Sequence, residues 1–214
     1  MQRESWNLRE RDPTGNGKPI IVFTGRSNVG KSSTIRVLTG KKVRIGKQPG
    51  STQWEQMIDF GSVKIVDIPG FGFMAGKSKT VIEETKNHIV QTLEKWSDSI
   101  LVAVHIIDLS LFKEIHDRWT ARGEIPVDVE YYSFLCEIAP RVIVVANKVD
   151  KVKKHLVDDE LDFLTLRLRE AVVEREPTII LTSTSKKWGV VDLRDLINEI
   201  LEEEGLERPV WALT

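Results

Sequence analysis

The chain has 214 residues, of which 41% are hydrophobic and 29% are charged, and its formal net charge is −1. These values are typical of one globular domain, and they exclude an overall electrostatic field that attracts nucleic acid or membranes. The single cysteine, Cys136, excludes an internal disulfide and favours a reducing, cytoplasmic setting. No apolar run has the length needed to cross a bilayer, and residues 1–11 are too polar for a signal peptide, so no membrane association is expected.

Hydrophobic periodicity predicts strands that alternate with helices after a turn-rich lead-in. The predicted strands cover residues 19–24, 54–60, 63–68, 99–109, 141–146 and 178–182. The predicted helices cover residues 31–39, 80–96, 129–139, 157–175 and a final stretch that ends near 205. Residues 111–129 indicate only one helical turn, near 113–119.

The second and third predicted strands are separated by Gly61 and Ser62 and form an antiparallel hairpin. The other strands are joined through helices, which requires right-handed crossovers and a parallel arrangement. The predicted fold is therefore α/β: a mostly parallel six-stranded sheet with one antiparallel edge strand and helices on both faces.

Residues 25–32 read GRSNVGKS and match G-x-x-x-x-G-K-[ST], the phosphate-binding loop. Gly25 and Gly30 allow backbone conformations closed to other residues, so successive N–H groups can turn toward an anion. Lys31 supplies a charge for the β- and γ-phosphates, and the Ser32 hydroxyl is placed for Mg²⁺. A buried strand precedes the loop and a helix follows it, which is the context that the motif requires. The predicted phosphate-site residues are Gly25, Arg26, Ser27, Asn28, Val29, Gly30, Lys31, Ser32 and Ser33.

A D-x-x-G motif follows the third predicted strand. Asp67 can hold Mg²⁺ through water, and the Gly70 N–H can reach a γ-phosphate. The loop before the second predicted strand carries a further motif, which includes Gly50. In this motif Thr52 is the candidate for the second hydroxyl that binds Mg²⁺, and Ser51 is the alternative. The predicted nucleotide and metal site extends to these residues, and its Mg²⁺ ligands are Ser32, Thr52 and Asp67.

Asn147-Lys148-Val149-Asp150 ends the fifth predicted strand and discriminates between purines. A carboxylate at Asp150 can accept hydrogen bonds from the ring N–H and exocyclic amine of guanine, whereas adenine leaves it unpaired. The Lys148 stem can lie over the base, and Asn147 can bridge the loops around it. After the last strand, the turn at residues 182–184, with Ser183 and Thr184, can offer a backbone N–H to the guanine carbonyl oxygen. The predicted ligands are GTP and GDP.

Taken together, these motifs resemble the EngB (YihA/YsxC) GTPases over roughly residues 18–202. The more family-specific parts are Phe71-Gly72-Phe73 and Lys186-Lys187-x-Gly189. The resemblance implies a Ras-like GTPase domain over residues 18–204, between a lead-in at 1–17 and a tail at 205–214. It also implies a monomer that acts in assembly of the large ribosomal subunit, with the subunit precursor and ribosomal RNA as partners. Trp54 and the long region 111–127 depart from the family pattern.

Phe71 stands where Ras-type GTPases place the glutamine that orients the attacking water. Because phenylalanine cannot hydrogen-bond a water, slow intrinsic hydrolysis is expected, with Lys31, Gly70 and Asn28 as candidate catalytic residues. In related GTPases an asparagine at the position of Asn28 ligates a potassium ion that stands in for an arginine finger. The alternative is that Asn28 only ties the loop.

Cations flank both predicted switch segments: Lys41, Lys42, Arg44, Lys47, Lys77 and Lys79. They can make RNA affinity depend on the bound nucleotide, or they can be ordinary solvated loop charges. Two functions remain open at this point. One is a GTP-gated ribosome assembly factor; the other is a GTPase partner of an RNA-modification or membrane process, as in Era and MnmE. The latter proteins usually carry an added domain, so the first function is favoured.

Overall fold

A computed structural model of the protein describes residues 17–41, 56–70 and 79–212. The strands are β1 (Ile20–Gly25), β2 (Gln56–Phe60), β3 (Val63–Asp67), β4 (Ile100–Asp108), β5 (Arg141–Asn147) and β6 (Thr178–Leu181). The helices are α1 (Lys31–Thr39), α2 (Lys79–Trp96), α3 (Leu109–Thr120), α4 (Val127–Ile138), α5 (Val157–Ala171) and α6 (Val190–Glu203). No helix in the described part of the chain is long and apolar enough to cross a bilayer.

The six strands form one sheet in the order β2-β3-β1-β4-β5-β6. Only β2 is antiparallel to its neighbour, and it lies at the edge. This arrangement confirms the predicted sheet and hairpin. The predicted start of the second strand, at residue 54, lies outside the described residues.

Helices cover both faces of the sheet because successive strand residues point to opposite sides. Val22 of β1 faces a layer that contains Leu93, Phe112, Leu135 and Leu164, which come from α2, α3, α4 and α5. A second apolar layer lies on the opposite face of the sheet. Its members include Ile21, Phe23, Ile35, Leu38, Leu193 and Ile197, from β1, α1 and α6. The central strands are therefore buried on both sides, as their continuous apolar runs predict.

The region after β4 is more helical than the sequence predicts. Instead of one turn near 113–119, α3 is a 12-residue helix that begins directly after Asp108. Leu109 and Phe112 of α3 are buried. His116, one turn after Phe112, extends the same stripe, and its ring lies 5.1 Å from the ring of Phe163 on α5. Because one position of this stripe is a histidine and not an apolar residue, the sequence does not show the helical periodicity here. Conversely, α5 ends at Ala171 rather than 175, where Val172 leaves the helical conformation.

Residues 206–212 pack onto the sheet edge and the end of α1. Trp211 is 9% exposed, and its ring lies 5.0 Å from that of Phe60. Its Nε1 donates a hydrogen bond to Asn198 Oδ1 at 2.8 Å, while Ala212 N donates to Leu38 O at 2.9 Å. Nothing in the composition of this short segment indicates that it completes the core.

Removing the Trp211 ring should therefore destabilise the domain. We expect Trp211→Ala to lower the free energy of unfolding by about 3 kcal/mol, because it leaves a cavity beside Phe60 and an unpaired Asn198. The adjacent Val210 is 92% exposed, so Val210→Ala should change it by less than about 0.5 kcal/mol. Urea denaturation measures both, and equal losses would show that the ring contributes nothing specific.

Candidate nucleotide site

The predicted motifs meet at one edge of the sheet, where its parallel strands end. The loop of residues 25–32 joins β1 to α1, and Asp67 ends β3. Asn147 ends β5, and residues 182–184 follow β6. Because ligands of open α/β sheets bind at the carboxyl ends of the strands, this edge is the candidate site.

The phosphate loop has the backbone conformation that its glycines were predicted to allow. Gly25 has φ +139° and Gly30 has φ +107°, both outside the range that other residues favour. Space is also lacking for a side chain. A Cβ at Gly25 would lie 2.4 Å from Ile106 O, and one at Gly30 would lie 2.3 Å from Asn147 Nδ2.

Lys31, Ser32 and Asp67 form a compact charged group at the start of α1. Lys31 Nζ lies 3.0 Å from Asp67 Oδ1, and Ser32 Oγ donates a hydrogen bond to Asp67 Oδ2 at 2.9 Å. Among the described residues no three carboxylate, histidine or cysteine side chains cluster to hold a metal. Mg²⁺ commonly uses few protein ligands together with phosphate oxygens and water, so a hydroxyl beside a carboxylate fits it. The candidates Gly50, Ser51 and Thr52 lie outside the described residues.

The D-x-x-G turn touches the phosphate loop directly. A Cβ at Gly70 would lie 2.8 Å from the backbone N of Ser27 and 2.9 Å from its Oγ. The residue must therefore be glycine for the two loops to come this close. Phe71, which follows, lies outside the described residues.

Asn147 joins the phosphate loop to the loop after β6. Its Nδ2 donates to Val29 O at 2.8 Å. Its Oδ1 accepts three hydrogen bonds, from Thr182 Oγ1 at 3.0 Å, Thr184 N at 3.1 Å and Thr184 Oγ1 at 3.0 Å. These contacts confirm the predicted bridge between loops, and the side chain is almost completely buried.

Asp150 is positioned by two serines. Ser183 Oγ donates to Asp150 Oδ1 at 2.5 Å, and Ser185 Oγ donates to Oδ2 at 3.3 Å. The hydrogen bond from Ser183, which stabilises the ionised form, is the main reason that the pKa of Asp150 lies below its usual value. The site therefore presents an exposed carboxylate, as guanine recognition requires.

The backbone N–H groups of residues 182–184, one of which is predicted to contact the guanine carbonyl oxygen, form hydrogen bonds within the protein. All three N–H groups are engaged within the protein: Thr182 N donates to Ala146 O, Ser183 N to Trp188 O, and Thr184 N to Asn147 Oδ1. The contact with the guanine carbonyl oxygen stays a prediction. The hydroxyl of Ser183 donates to Asp150, a contact that the sequence did not reveal.

Comparisons with known proteins agree with this geometry. A family model described as "50S ribosome-binding GTPase" matches residues 20–148. The probable GTP-binding protein EngB of Pyrococcus abyssi is 44% identical over 188 residues, which cover 88% of this chain and 88% of that protein. The corresponding protein of Pyrococcus horikoshii is 43% identical over 183 residues, covering 86% of this chain and 84% of that protein. The chain belongs to the EngB family.

The fold comparison supports the same assignment. A crystal structure of a probable GTP-binding protein EngB aligns with a TM-score of 0.76 at 43% identity, and the match covers 86% of this chain and 99% of that one. As a member of the EngB family, the chain is a P-loop GTPase and a GTP-binding protein. The resemblance inferred from the motifs is thus confirmed.

In this EngB chain, Lys148 ties the base motif to the phosphate loop. It has φ +64°, and its Nζ donates to Asn28 O at 2.6 Å. The same Nζ lies 2.6 Å from Asp108 Oδ2, and Ser110 Oγ donates to the other carboxylate oxygen at 2.7 Å. The sequence indicated Asp108 only as the end of a strand. Asn28 itself is exposed, with φ +68°.

Arg26 lies close to a buried acid. Its Nη1 lies 3.6 Å from Oδ2 of Asp128, which is 3% exposed in the first turn of α4. Burial raises the pKa of Asp128 to about 6, and Arg26 opposes that shift. This pair could not be predicted from the sequence, because Asp128 lies about one hundred positions from the loop and matches no motif.

A buried histidine continues this polar layer beneath the loop. His105 Nε2 lies 3.1 Å from Asp128 O, which can only accept, so Nε2 carries the proton. Nδ1 then accepts from Thr24 Oγ1 at 3.0 Å. Burial lowers the pKa of His105 to about 4, so the ring is neutral at neutral pH and serves as a structural link.

The ionisation of Asp128 should be visible in the pH dependence of stability. Its pKa is about 6 in the folded protein against 3.8 for the unperturbed group, so its ionisation between those values disfavours the folded state. Asp128→Asn avoids that cost. We expect this variant to gain roughly 3 kcal/mol of stability relative to the wild type between about pH 4 and pH 7, at about 1.4 kcal/mol per pKa unit.

Urea denaturation at several pH values measures the difference in stability between the variant and the wild type. His105 titrates in both proteins, so its contribution largely cancels from that difference. Asp117→Asn is the matched control. Asp117 is exposed and its pKa is lowered, chiefly by a hydrogen bond from Lys113, so its titration falls below this range and no gain is expected. Parallel curves for wild type and Asp128→Asn would contradict the assignment.

Proposed function

We propose that this chain is a nucleotide-gated switch that acts as a monomer in the cytoplasm, in assembly of the large ribosomal subunit. The division into a GTPase domain at residues 18–204 with short flanking segments belongs to the same proposal. Support for the ribosomal partner comes from the family model, whose description names 50S binding. The large-subunit precursor and its RNA are the proposed targets.

The observation that carries the switch is the ion pair between Lys31 and Asp67. Lys31 belongs to the phosphate loop, and Asp67 begins the D-x-x-G turn that contacts the loop at Ser27. A bound phosphate competes for the Lys31 ammonium and so releases the Asp67 carboxylate. The state of the phosphate is thereby transmitted to the D-x-x-G turn.

Mg²⁺ would be held by Ser32 and Asp67, with Thr52 as the third proposed ligand. When bound, the metal neutralises charge on the β- and γ-phosphate oxygens. The protein's part is to orient the oxygen donors. The hydrogen bond from Ser32 Oγ to Asp67 Oδ2 already brings these two groups together.

Guanine specificity is assigned to Asp150. Its carboxylate pairs with the N1–H and exocyclic amine of guanine, while Ser183 and Ser185 fix its position. Lys148 packs along the base, and Asn147 holds the loops on either side. Adenine would cover this carboxylate without offering it a donor pair, which opposes its binding.

We propose slow intrinsic hydrolysis, in which Lys31 and the Gly70 N–H stabilise charge on the transferring phosphoryl group. Asn28 is the proposed potassium ligand. Its backbone oxygen is engaged by Lys148, so the side-chain oxygen is the group available to a cation. The Asn28 side chain is exposed, and the residue has φ +68°.

The potassium role predicts a dependence on the monovalent cation. We expect GTP turnover to be roughly tenfold or more faster in potassium chloride than in sodium chloride at equal ionic strength, since one electrostatic partner of the transition state is lost. Asn28→Ala should abolish the difference. Equal rates in the two salts would exclude the role.

The ribosomal role is tested by sedimentation of the protein with isolated large ribosomal subunits. We expect co-sedimentation with a non-hydrolysable GTP analogue and much less with GDP. Lys31→Ala, which removes the phosphate contact, should not respond to the analogue. Binding that is equal with both nucleotides, or absent with both, would contradict a GTP-gated function at the ribosome.

A further inference from the structure

A surface at the guanine end of the site carries exposed cations and an exposed aromatic ring, and of these only Lys186 acts electrostatically on Asp150. We call it the basic rim, and it consists of Lys151, Lys153, Lys154, Lys186, Lys187 and Trp188. The first three residues follow Asp150 and the others follow Ser183. The rim is one surface because Ser183 and Ser185 bind Asp150, and Val149 N donates to Thr182 O at 3.1 Å.

The indole of Trp188 is unusually exposed for a tryptophan. It is 58% exposed, although its backbone is fixed by two hydrogen bonds with Ser183, at 3.0 Å and 3.1 Å. A rigid backbone limits the entropy lost when such a ring is covered by a partner. Trp188 also occupies the x of the Lys-Lys-x-Gly pattern, so the motif itself does not require an aromatic residue there.

The five lysines of the rim are exposed, and none forms an ion pair within the described part of the chain. Elsewhere on the surface, cations are commonly paired, as in Lys86 with Glu130, Arg118 with Glu114 and Arg141 with Glu203. The acidic run at residues 158–160 lies in the first turn of α5, where it interacts favourably with the helix N-terminus. The rim therefore keeps a local positive field on a chain of net charge −1.

The turn that displays Lys186 and Lys187 retains a strained residue. Lys187 has φ +60°, a conformation in which glycine or asparagine is favoured. Lys186 N closes the turn by donating to Ser183 O at 3.1 Å. A lysine here costs stability relative to glycine, which fits a position where the ammonium group contacts a partner.

We propose that the basic rim binds an unpaired segment of RNA, with a base stacked on Trp188 and phosphates on the lysines. Stacking on an exposed ring beside cations is how proteins bind single strands, whereas duplex RNA keeps its bases covered. This inference deepens the proposed function, since it names the RNA-facing surface. The rim lies at the β5–β6 end of the sheet, away from Asp67 on β3, so its RNA contact is independent of the γ-phosphate.

Fluorescence anisotropy tests the proposal with a labelled RNA hairpin that has an unpaired purine loop, a blunt RNA duplex of equal length, and polyglutamate. The full chain is used, loaded with GDP or a non-hydrolysable GTP analogue. We expect the hairpin to bind best and equally in both nucleotide states. Trp188→Ala should weaken hairpin binding roughly tenfold or more, and Trp188→Phe should retain most of it.

Charge is tested separately with Lys153→Ala/Lys154→Ala. This variant should weaken hairpin binding and reduce the slope of log affinity against log salt by about 1.4, or about 0.7 for each phosphate contact. The matched control is Lys95→Ala/Arg122→Ala, which removes two exposed cations that do not belong to the rim and should change neither quantity.

Three results would overturn the proposal: Trp188→Ala without effect on the hairpin, polyglutamate bound as tightly as the hairpin, or GDP affinity falling in parallel with RNA affinity. A parallel loss of GDP affinity would mean that Trp188 only stabilises the loop that binds the base. The outcome is separable from that of the proposed function. Co-sedimentation with subunits can fail while Trp188-dependent RNA binding stands, and the reverse is equally distinguishable.

Discussion

The hydrogen bonds of the Asn147 side chain determine the geometry of the whole site. One end of the amide holds the phosphate loop at Val29, and the other holds the base loop at Thr182 and Thr184. The same group explains why Gly30 must lack a side chain, because a Cβ there would lie 2.3 Å from Nδ2. Two motifs that are distant in sequence are therefore one packing unit, and neither loop can shift alone.

Charged side chains beneath and beside the phosphate loop form a second common feature. Three lysine or arginine side chains pair with carboxylates from other strands or helices, and the pairs are Lys31–Asp67, Lys148–Asp108 and Arg26–Asp128. Burying such pairs rarely stabilises a fold, since desolvation opposes the attraction. The Lys148–Asp108 and Arg26–Asp128 pairs contribute preorganisation, because they fix parts of the loop before a nucleotide arrives and so less reorganisation is needed on binding. The Lys31–Asp67 pair is instead the one proposed to give way to a bound phosphate.

The sequence predicted the elements whose signals are local. The glycines of the phosphate loop, the buried strands and the carboxylate at Asp150 are each recognisable within a few residues, and the structure places them at one sheet edge. Asp108 and Asp128 could not be found in this way, because their roles arise only from strands and helices that fold against the loop. Similarly, Trp211 becomes part of the core through contacts with Phe60 and Asn198, which no short window of sequence shows.

The central claim is that Asp150 selects guanine while Asn147 holds the two loops in place. Calorimetric titration of GDP and xanthosine diphosphate tests it most directly, because xanthine offers a carbonyl oxygen where guanine offers its exocyclic amine. Asp150→Asn should lose roughly a hundredfold or more in GDP affinity and come to prefer the xanthine nucleotide, since the amide can donate to that oxygen. Asn147→Ala should weaken both nucleotides and keep the preference for guanine. An Asp150→Asn protein that still preferred GDP would contradict the account.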